Sequence, residues 1–271
     1  MFFNWLFGGQ TLIGTEGGDY LVGGDGPDDI RGNGGTDYLI GGAGNDTIDG
    51  GKDGDTLAGG DGADSLFGGD GNDYINAGDG NDIVDGGGDS DQIFGYGGND
   101  ILYGGASGDT VVGGDGDDIL YGGNNGLFDW LFGSKDGGDL LQGGNGNDTL
   151  FGEAGDDVLN GQAGRDTLTG GAGADIFTFT SLTDTAVGWN RDVITDFTPG
   201  QDKIFLWELD ANTKVDGDQA FTFIGDRGFS GQAGELRFAW GVVSGDVDGD
   251  GRADFEIGVT AWKLTASDFS L

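Results

Sequence analysis

Seventeen aspartates recur along this chain at a spacing of nine residues. Carboxylates at that density can trade protons in pairs, or they can hold a hard cation. The set is Asp19, Asp28, Asp37, Asp46, Asp55, Asp64, Asp73, Asp82, Asp91, Asp100, Asp109, Asp118, Asp139, Asp148, Asp157, Asp166 and Asp175. Each sits at position six of a frame G-G-x-G-x-D-x-U-x, in which U is a large apolar residue. That frame is followed from Gly14 to Thr178. Carboxylates together with the carbonyls of crowded glycines make an oxygen-only donor set, which suits a hard cation with six or more ligands, calcium above all. Solvated turn residues alone do not explain an Asp in every frame.

The frame also dictates the elements that must position these carboxylates. Position eight is Leu21, Ile30, Leu39, Ile48, Leu57, Leu66, Ile75, Val84, Ile93, Leu102, Val111, Leu120, Leu141, Leu150, Leu159, Leu168 and Phe177. One apolar residue between outward-pointing neighbours is the period of two of a short strand. The six residues before it are too glycine-rich for helix and supply the unusual φ values of a tight turn. One nonamer is therefore a turn plus a short strand. Two nonamers make one coil of a flattened right-handed parallel β-roll with a thin aliphatic core, and the fold class is all-β. With strands stacked about 4.8 Å apart, the rod is roughly 40 Å long. The glycines are looser: Thr15, Asn33, Tyr96, Glu153 and Gln162 stand at position two, Ala77 at position one, and Asp53, Asp89, Ser107 and Asn125 also break the frame.

Stacked coils place each position-six Asp over the one two frames on. Without a cation that is a ladder of like charges in each turn row, which pushes the coils apart. Nine odd frames give eight gaps and eight even frames give seven, so the ceiling is fifteen ions against a net charge of -38.

These repeats resemble the RTX (repeats-in-toxin) β-roll, a calcium-binding nonapeptide array of proteins exported by type I secretion from Gram-negative bacteria. The resemblance covers residues 14–178. GGAGADIFTF at 170–179, RDVITDF at 191–197 and GQDKIFL at 200–206 are similar to the C-terminal region of serralysin-type proteases. The resemblance implies passage through an exporter that reads an uncleaved C-terminal signal. The ending Ser267-Asp268-Phe269-Ser270-Leu271, an acid followed by apolar residues, is similar to such signals. The implied location is extracellular or at the cell surface.

Composition narrows the functions. There is no histidine, so a serralysin zinc site is impossible, and with no cysteine the Cys-His and Ser-His-Asp schemes fail as well. The acids that recur at position six sit where calcium explains them, which leaves little for a paired-carboxylate glycosidase. A charge of -38 argues against nucleic acid and anionic membrane surfaces. Low apolar content and high charge predict a disordered chain without metal, so folding is conditional on calcium, which takes the place of disulfides outside the cell. Met1 to Phe7 is too short and lacks the basic flank for a signal peptide or a membrane span.

Outside the repeats three segments stand apart. Residues 1–13, with Phe2, Phe3, Trp5, Leu6 and Phe7, read as an N-terminal apolar cap on the solenoid end. The insertion at 124–135 echoes it, Asp129-Trp130-Leu131-Phe132-Gly133 against Asn4-Trp5-Leu6-Phe7-Gly8. On one outer face Phe67, Ile83, Ile101, Tyr103, Ile119, Tyr121 and Phe151 form an apolar ladder. Leu127, Phe128, Trp130 and Leu131 are expected to fold back over it; otherwise ladder and insertion form a self-association or partner surface. From 179 to 271 glycine thins and alternating runs read as antiparallel strands of a β-sandwich-like cap, with Trp189, Trp207, Trp240 and Trp262 expected in its core. Within it Asp246, Asp248, Asp250 and Asp254, with a carbonyl from Arg252, have the spacing of a calcium loop. Ile257 stands where an EF-hand needs Glu.

The sequence thus points to a non-catalytic, secreted calcium-binding protein acting as a surface, matrix or adhesion component, with Trp5 and Trp130 as contact residues. The alternatives are a membrane-active protein inserting its Trp-Leu-Phe segments, and ice or glycan binding by a solenoid face, for which outward Thr47, Thr149 and Thr167 form no continuous array.

Overall fold

The structure is a computed structural model and describes residues 8–123 and 138–271. The chain divides into two compact units, Met1–Leu140 and Leu141–Leu271.

In the first unit the alternation of single apolar residues produces two parallel sheets. Strands Thr11–Ile13, Asp29–Gly34, Thr47–Lys52, Ser65–Asp70, Ile83–Gly88, Ile101–Gly105 and Ile119–Tyr121 form one. Strands Tyr20–Asp25, Tyr38–Ala43, Thr56–Asp61, Tyr74–Asp79, Gln92–Gly97 and Thr110–Asp115 form the other. The register is a shift of eighteen residues: Ile30 pairs with Ile48 and Leu66 with Val84 in the first sheet, Leu57 with Ile75 in the second. A period of two nonamers per coil follows directly. Position-eight side chains from Ile30 to Leu120 are fully buried between the sheets, while Leu21 near the start is only half-buried.

Pairing begins before the first full nonamer. Leu12 pairs with Ile30, and the Gln10 amide donates to Asp28 Oδ1 at 2.5 Å. Gln10 therefore occupies the place of a position-six Asp, inside the segment read from sequence as a cap. Residues 1–7, including Trp5, and the insertion residues Leu127, Phe128, Trp130 and Leu131 lie outside the described residues. The expected outer apolar ladder is interrupted, because Asp85 pairs between Phe67 and Tyr103; Phe67 and Ile83 are 41% and 45% exposed, Ile101, Tyr103, Ile119 and Tyr121 are half-buried, and the Tyr103 and Tyr121 rings stack at 4.9 Å.

The turns explain the glycines. Backbone φ is positive at positions two and four of the frame, as at Gly60 (116°) and Gly62 (142°). Where another residue stands there the backbone keeps that conformation, Thr15 in the first frame excepted: Asn33 (75°), Asp53 (69°), Asp89 (69°), Tyr96 (75°), Ser107 (88°), Glu153 (74°) and Gln162 (64°). Seven of the frame-breaking residues thus carry left-handed strain that the stacked coils impose.

The second unit repeats the parallel scheme before departing from it. Thr149–Phe151, Thr167–Thr169, Val193–Ile194 and Phe255–Val259 pair successively in parallel, as do Val158–Gly164, Ile176–Thr178, Lys203–Phe205 and Phe269–Ser270. Among the described residues antiparallel pairing is confined to Glu235–Ala239, Val242–Asp246 and Phe255–Val259. The expectation of antiparallel strands throughout 179–271 is corrected on this point. Val193–Ile194 and Lys203–Phe205 keep an Asp-x-apolar pattern, and that pattern continues the roll with a single frame glycine in each turn, Gly188 (φ 88°) and Gly200 (φ 86°). Ile194 and Ile204 are fully buried, like the position-eight residues before them.

The tryptophans are also corrected. Trp189, Trp240 and Trp262 are 92%, 98% and 89% exposed, and Trp207 is 54% exposed. Trp189 lies in the short 3-10 turn Gly188–Asn190, and Trp240 with Gly241 forms the two-residue turn between paired Ala239 and Val242. Turn positions point away from the sheets. The interior is filled instead by Phe177, Phe179, Phe197, Phe221 and Phe255.

Two substitutions test the turn geometry with opposite signs. Glu153→Gly releases a strained, exposed side chain and is expected to stabilise by about 1 kcal/mol. Gly60→Ala places a methyl against the Gly42 carbonyl at φ 116° and is expected to destabilise by about 2 kcal/mol. Denaturant unfolding in saturating calcium measures both; shifts of the same sign would show that the turns do not impose this backbone.

Candidate metal centre

The eighteen-residue register places the position-six aspartates in two rows, one along each line of turns. Each rung is made by a backbone amide and the carboxylate of the next coil. The Asp28 amide donates to Asp46 Oδ1 at 2.7 Å, Asp46 to Asp64 at 2.7 Å, Asp64 to Asp82 at 2.8 Å and Asp82 to Asp100 at 2.9 Å. The other row runs from Asp19 through Asp37, Asp55, Asp73 and Asp91 to Asp109, with bonds of 2.7–2.8 Å. Across the insertion the rung survives: the Asp109 amide donates to Asp139 Oδ1 at 2.7 Å, although thirty residues separate them. In the second unit Asp148 donates to Asp166 and Asp157 to Asp175.

Each rung uses one carboxylate oxygen. The second, Oδ2, is buried without a hydrogen-bond partner at Asp28, Asp37, Asp46, Asp55, Asp64, Asp73, Asp82, Asp91, Asp100 and Asp175. A buried anionic oxygen without a partner is costly, and a native fold does not repeat that cost without a compensating charge. The space beside it is lined by oxygen as well. A Cβ added to Gly50 would lie 2.6 Å from both Asp55 Oδ2 and the Gly68 carbonyl oxygen of the next coil. The position-one glycine thus leaves room in which a carboxylate and a carbonyl converge. Both are hard donors, so the residues present fit a calcium ion.

Burial pushes these carboxyls well above their ordinary range, and the like charges of neighbouring rungs add to the effect. The hydrogen bond from the preceding coil's amide opposes it. Asp46, Asp64, Asp73 and Asp175 are raised to about 6, Asp55 and Asp100 to about 7, and Asp91 to about 8.

The RTX calcium-binding nonapeptide repeat, a profile of four copies, matches residues 13–48, 49–84, 58–93, 77–111, 94–125, 134–168 and 154–186. The chain belongs to this family. It is a calcium-binding β-roll protein. No curated protein matches the chain. Solved structures similar to the chain include two from the mannuronan C5-epimerase of Azotobacter vinelandii. Its AlgE6R2 subunit is 33% identical over 58% of this chain and 89% of that one, with a TM-score of 0.39. Its AlgE6R3 subunit is 28% identical over 58% of this chain and 78% of that one, with a TM-score of 0.38.

In this RTX roll the row carboxylates and the position-one carbonyls are the groups that would hold calcium. An ion held there would supply positive charge between neighbouring coils. The sequence did not single out Asp192 and Asp202. The Asp166 amide donates to Asp192 Oδ1 at 2.8 Å and the Asp175 amide to Asp202 Oδ1 at 3.2 Å, so each row gains a further rung beyond the nonapeptides. The signal was the Asp-x-apolar triplet of Asp192-Val193-Ile194 and Asp202-Lys203-Ile204.

The separate loop at 246–254 joins two antiparallel strands, not helices. Carboxylate oxygens of Asp246, Asp248 and Asp254 lie within 4.8 Å of one another. Asp246 is fully buried and accepts the Gly249 and Gly251 amides at 2.6 and 2.9 Å, and Asp254 accepts the Val247 amide at 2.7 Å. Asp250 is exposed and caps the Arg252 amide at 2.8 Å, outside the converging three.

The raised pKa values fix the sign of a pH effect. A carboxyl raised on folding favours the folded state when protonated. Its contribution is complete below the ordinary value near 4 and is lost as pH rises through the folded values of about 6 to 8. In chelator, acidification from pH 8 to 5 is therefore expected to increase β-structure in far-UV circular dichroism. With calcium present the same carboxyls must ionise, so the calcium midpoint should rise over the same interval. A chelated chain that loses β-structure on acidification would contradict this assignment of the buried carboxyls.

Proposed function

We propose that this RTX protein is non-catalytic and secreted, that it folds on meeting calcium outside the cell, and that it serves as a surface, matrix or adhesion component. The observation that carries the reading is the double row of buried carboxylates in which the second oxygens from Asp28 to Asp100, and that of Asp175, lack a hydrogen-bond partner. A fold built on that row is conditional on a cation: at low calcium the charge favours an open chain that an exporter can thread, and at millimolar calcium the coils close. The roll holds up to fifteen ions between the nonapeptides, and Asp246, Asp248 and Asp254 hold another, with Asp250 and the Arg252 carbonyl beside them. The resemblance of 191–206 to serralysin-type C-termini and the acid-then-apolar ending support export through a type I system.

A chain without histidine or cysteine lacks the commonest proton-transfer and nucleophile residues. Among the described residues the buried aspartates of the rows are committed to backbone amides and to the inferred ions. That supports a structural and binding role over a catalytic one. The half-exposed Phe67 and Ile83, beside the stacked Tyr103 and Tyr121, offer a face for self-association or for a surface partner.

The test is a calcium titration from chelator to several millimolar, followed by far-UV circular dichroism and sedimentation velocity. A cooperative gain of β-structure with compaction is expected, and magnesium should not substitute. Larger species forming in the same step would favour the matrix role over a monomeric adhesin. A chain already folded in chelator would sink calcium-gated folding.

A further inference from the structure

Two of the almost wholly exposed tryptophans border one cleft in the second unit. Trp240 and Trp262, with Asp226, Phe238, Lys263 and Leu264, line a cavity of 470 Å³. That volume falls within the range of sites that take small molecules, roughly 300–1,000 Å³. The buried members, Phe238 and Leu264, give it an apolar floor. Backbone bonds hold the segments that carry the rings: the Phe238 amide donates to the Gly225 carbonyl at 2.9 Å, and the Val259 amide to the Gly241 carbonyl at 2.8 Å. A second cavity, of 360 Å³, shares Trp262 and Lys263 with the first and adds the hydroxyl-bearing Thr265 and Ser267.

Packing does not account for the two rings. Trp240 and Gly241 are the central residues of the turn between paired Ala239 and Val242, with φ of 57° and 75°. Asn or Asp before Gly is the sequence that such hairpin turns favour. A tryptophan there holds strain while its ring stays in solvent, and strain of that kind gathers at ligand clamps. Among the described residues the side chains of Trp240, Trp262, Asp226 and Lys263 have no ring, hydrogen-bond or ion-pair partner. The cleft thus sets two apolar ring faces beside one acceptor and one donor, all unengaged.

We propose that this cleft binds a neutral oligosaccharide, with pyranose rings laid on Trp240 and Trp262. A pyranose carries C–H groups on its faces and hydroxyls at its rim. Stacking on an indole takes the apolar face out of water, while the Asp226 carboxylate accepts from the rim hydroxyls and the Lys263 ammonium donates to them. Charge narrows the class. The net charge of -38 repels a polyanion, and Lys263 in the cleft repels a cationic headgroup. The second cavity, sharing a ring with the first, suits an oligomer over a single sugar. The proposal rests on the reading of this protein as a surface component and supplies the ligand for that role.

Calorimetric titration of the full chain in saturating calcium tests it. The probes are neutral hexasaccharides of glucose, mannose, galactose and N-acetylglucosamine, with a uronic-acid hexasaccharide as the charged comparison. At least one neutral probe is expected to bind. Trp240→Ala and Trp262→Ala should each weaken it by about tenfold, the loss of one stacked ring, and Trp189→Ala should leave it unchanged. As a second readout, the indole N–H resonances of Trp240 and Trp262 should shift with the sugar and that of Trp189 should not. No binding by the calcium-folded chain, or binding that survives both substitutions, would overturn the site and leave the surface role to other faces. Binding of the uronic-acid probe alone, or of phosphatidylcholine vesicles in place of sugar, would overturn it too. Neutral-sugar binding through these rings by a chain that folds without calcium would uphold the cleft and end the calcium-gated reading.

Discussion

A buried carboxylate with one oxygen bonded and the other bare is the condition on which this structure turns, and it recurs in both rows from Asp28 to Asp100 and again at Asp175. The bonded oxygen fixes the register, because it takes the amide of the aspartate one coil earlier. The bare oxygen sets the requirement for metal. Fixing the coils by one atom of a side chain and charging them by the other couples geometry to ion binding. The thin core cannot replace that coupling. Each nonamer buries a single aliphatic side chain, while nine residues of mostly glycine-rich backbone must be ordered, and glycine loses the most freedom of any residue on folding. The hydrophobic layer selects the sheet faces, and the metal rows hold the coils.

The same coupling explains why glycine is required at some positions and dispensable at others. At position one a side chain would enter the space shared by the aspartate and the next coil's carbonyl, as at Gly50 between Asp55 and Gly68. Ala77 is the sole replacement there, and the smallest possible one. Positions two and four need a positive φ, which polar residues adopt at modest cost, although a Cβ there also crowds the preceding coil's carbonyl, as at Gly60 against Gly42. Asn33, Asp53, Asp89 and Ser107 fit that rule. Tyr96 does not, since a bulky aromatic at φ 75° is a genuine outlier, and its ring lies 6.2 Å from Phe94 on the outer surface.

How much of this was legible follows from which residues carry it. The aspartate and aliphatic columns could be read directly, because periodicity fixes both the turn and the face of the strand. The expected eighteen-residue stacking, the parallel sheets and the buried position-eight core from Ile30 to Phe177 are all present. Asp192 and Asp202 were missed because glycine was used as the marker of the frame. In the structure the marker is the aspartate with an apolar residue two places on, which survives when the turn is rebuilt from other residues. Gln10 is the same lesson at the other end, where an amide side chain takes the place of the acid. The tryptophans were misread for a different reason. Composition says that a large ring belongs inside, but Trp240 sits in a two-residue hairpin turn at φ 57°, and no side chain there can reach the core. Of the 246–254 loop the spacing of alternating acids was readable, but not that Asp250 would turn outward to cap Arg252.

The metal rows cannot themselves specify a partner. Their carboxylates are buried, each rung repeats the one before it, and an ion held between coils presents no distinctive surface. Recognition must then reside in residues that the frame leaves free, the outward positions and the turns. Those positions are not uniformly polar here. Phe67 and Ile83 expose apolar area on one sheet, Tyr20 stacks on Tyr38 at 5.4 Å on the other, and Trp189, Trp240 and Trp262 stand almost wholly in solvent. A chain with a net charge of -38 needs no such groups for solubility, and large exposed rings are costly to keep. Folding and recognition are therefore carried by separate residue sets. The outer rings, not the buried rows, are what the roll presents to its surroundings.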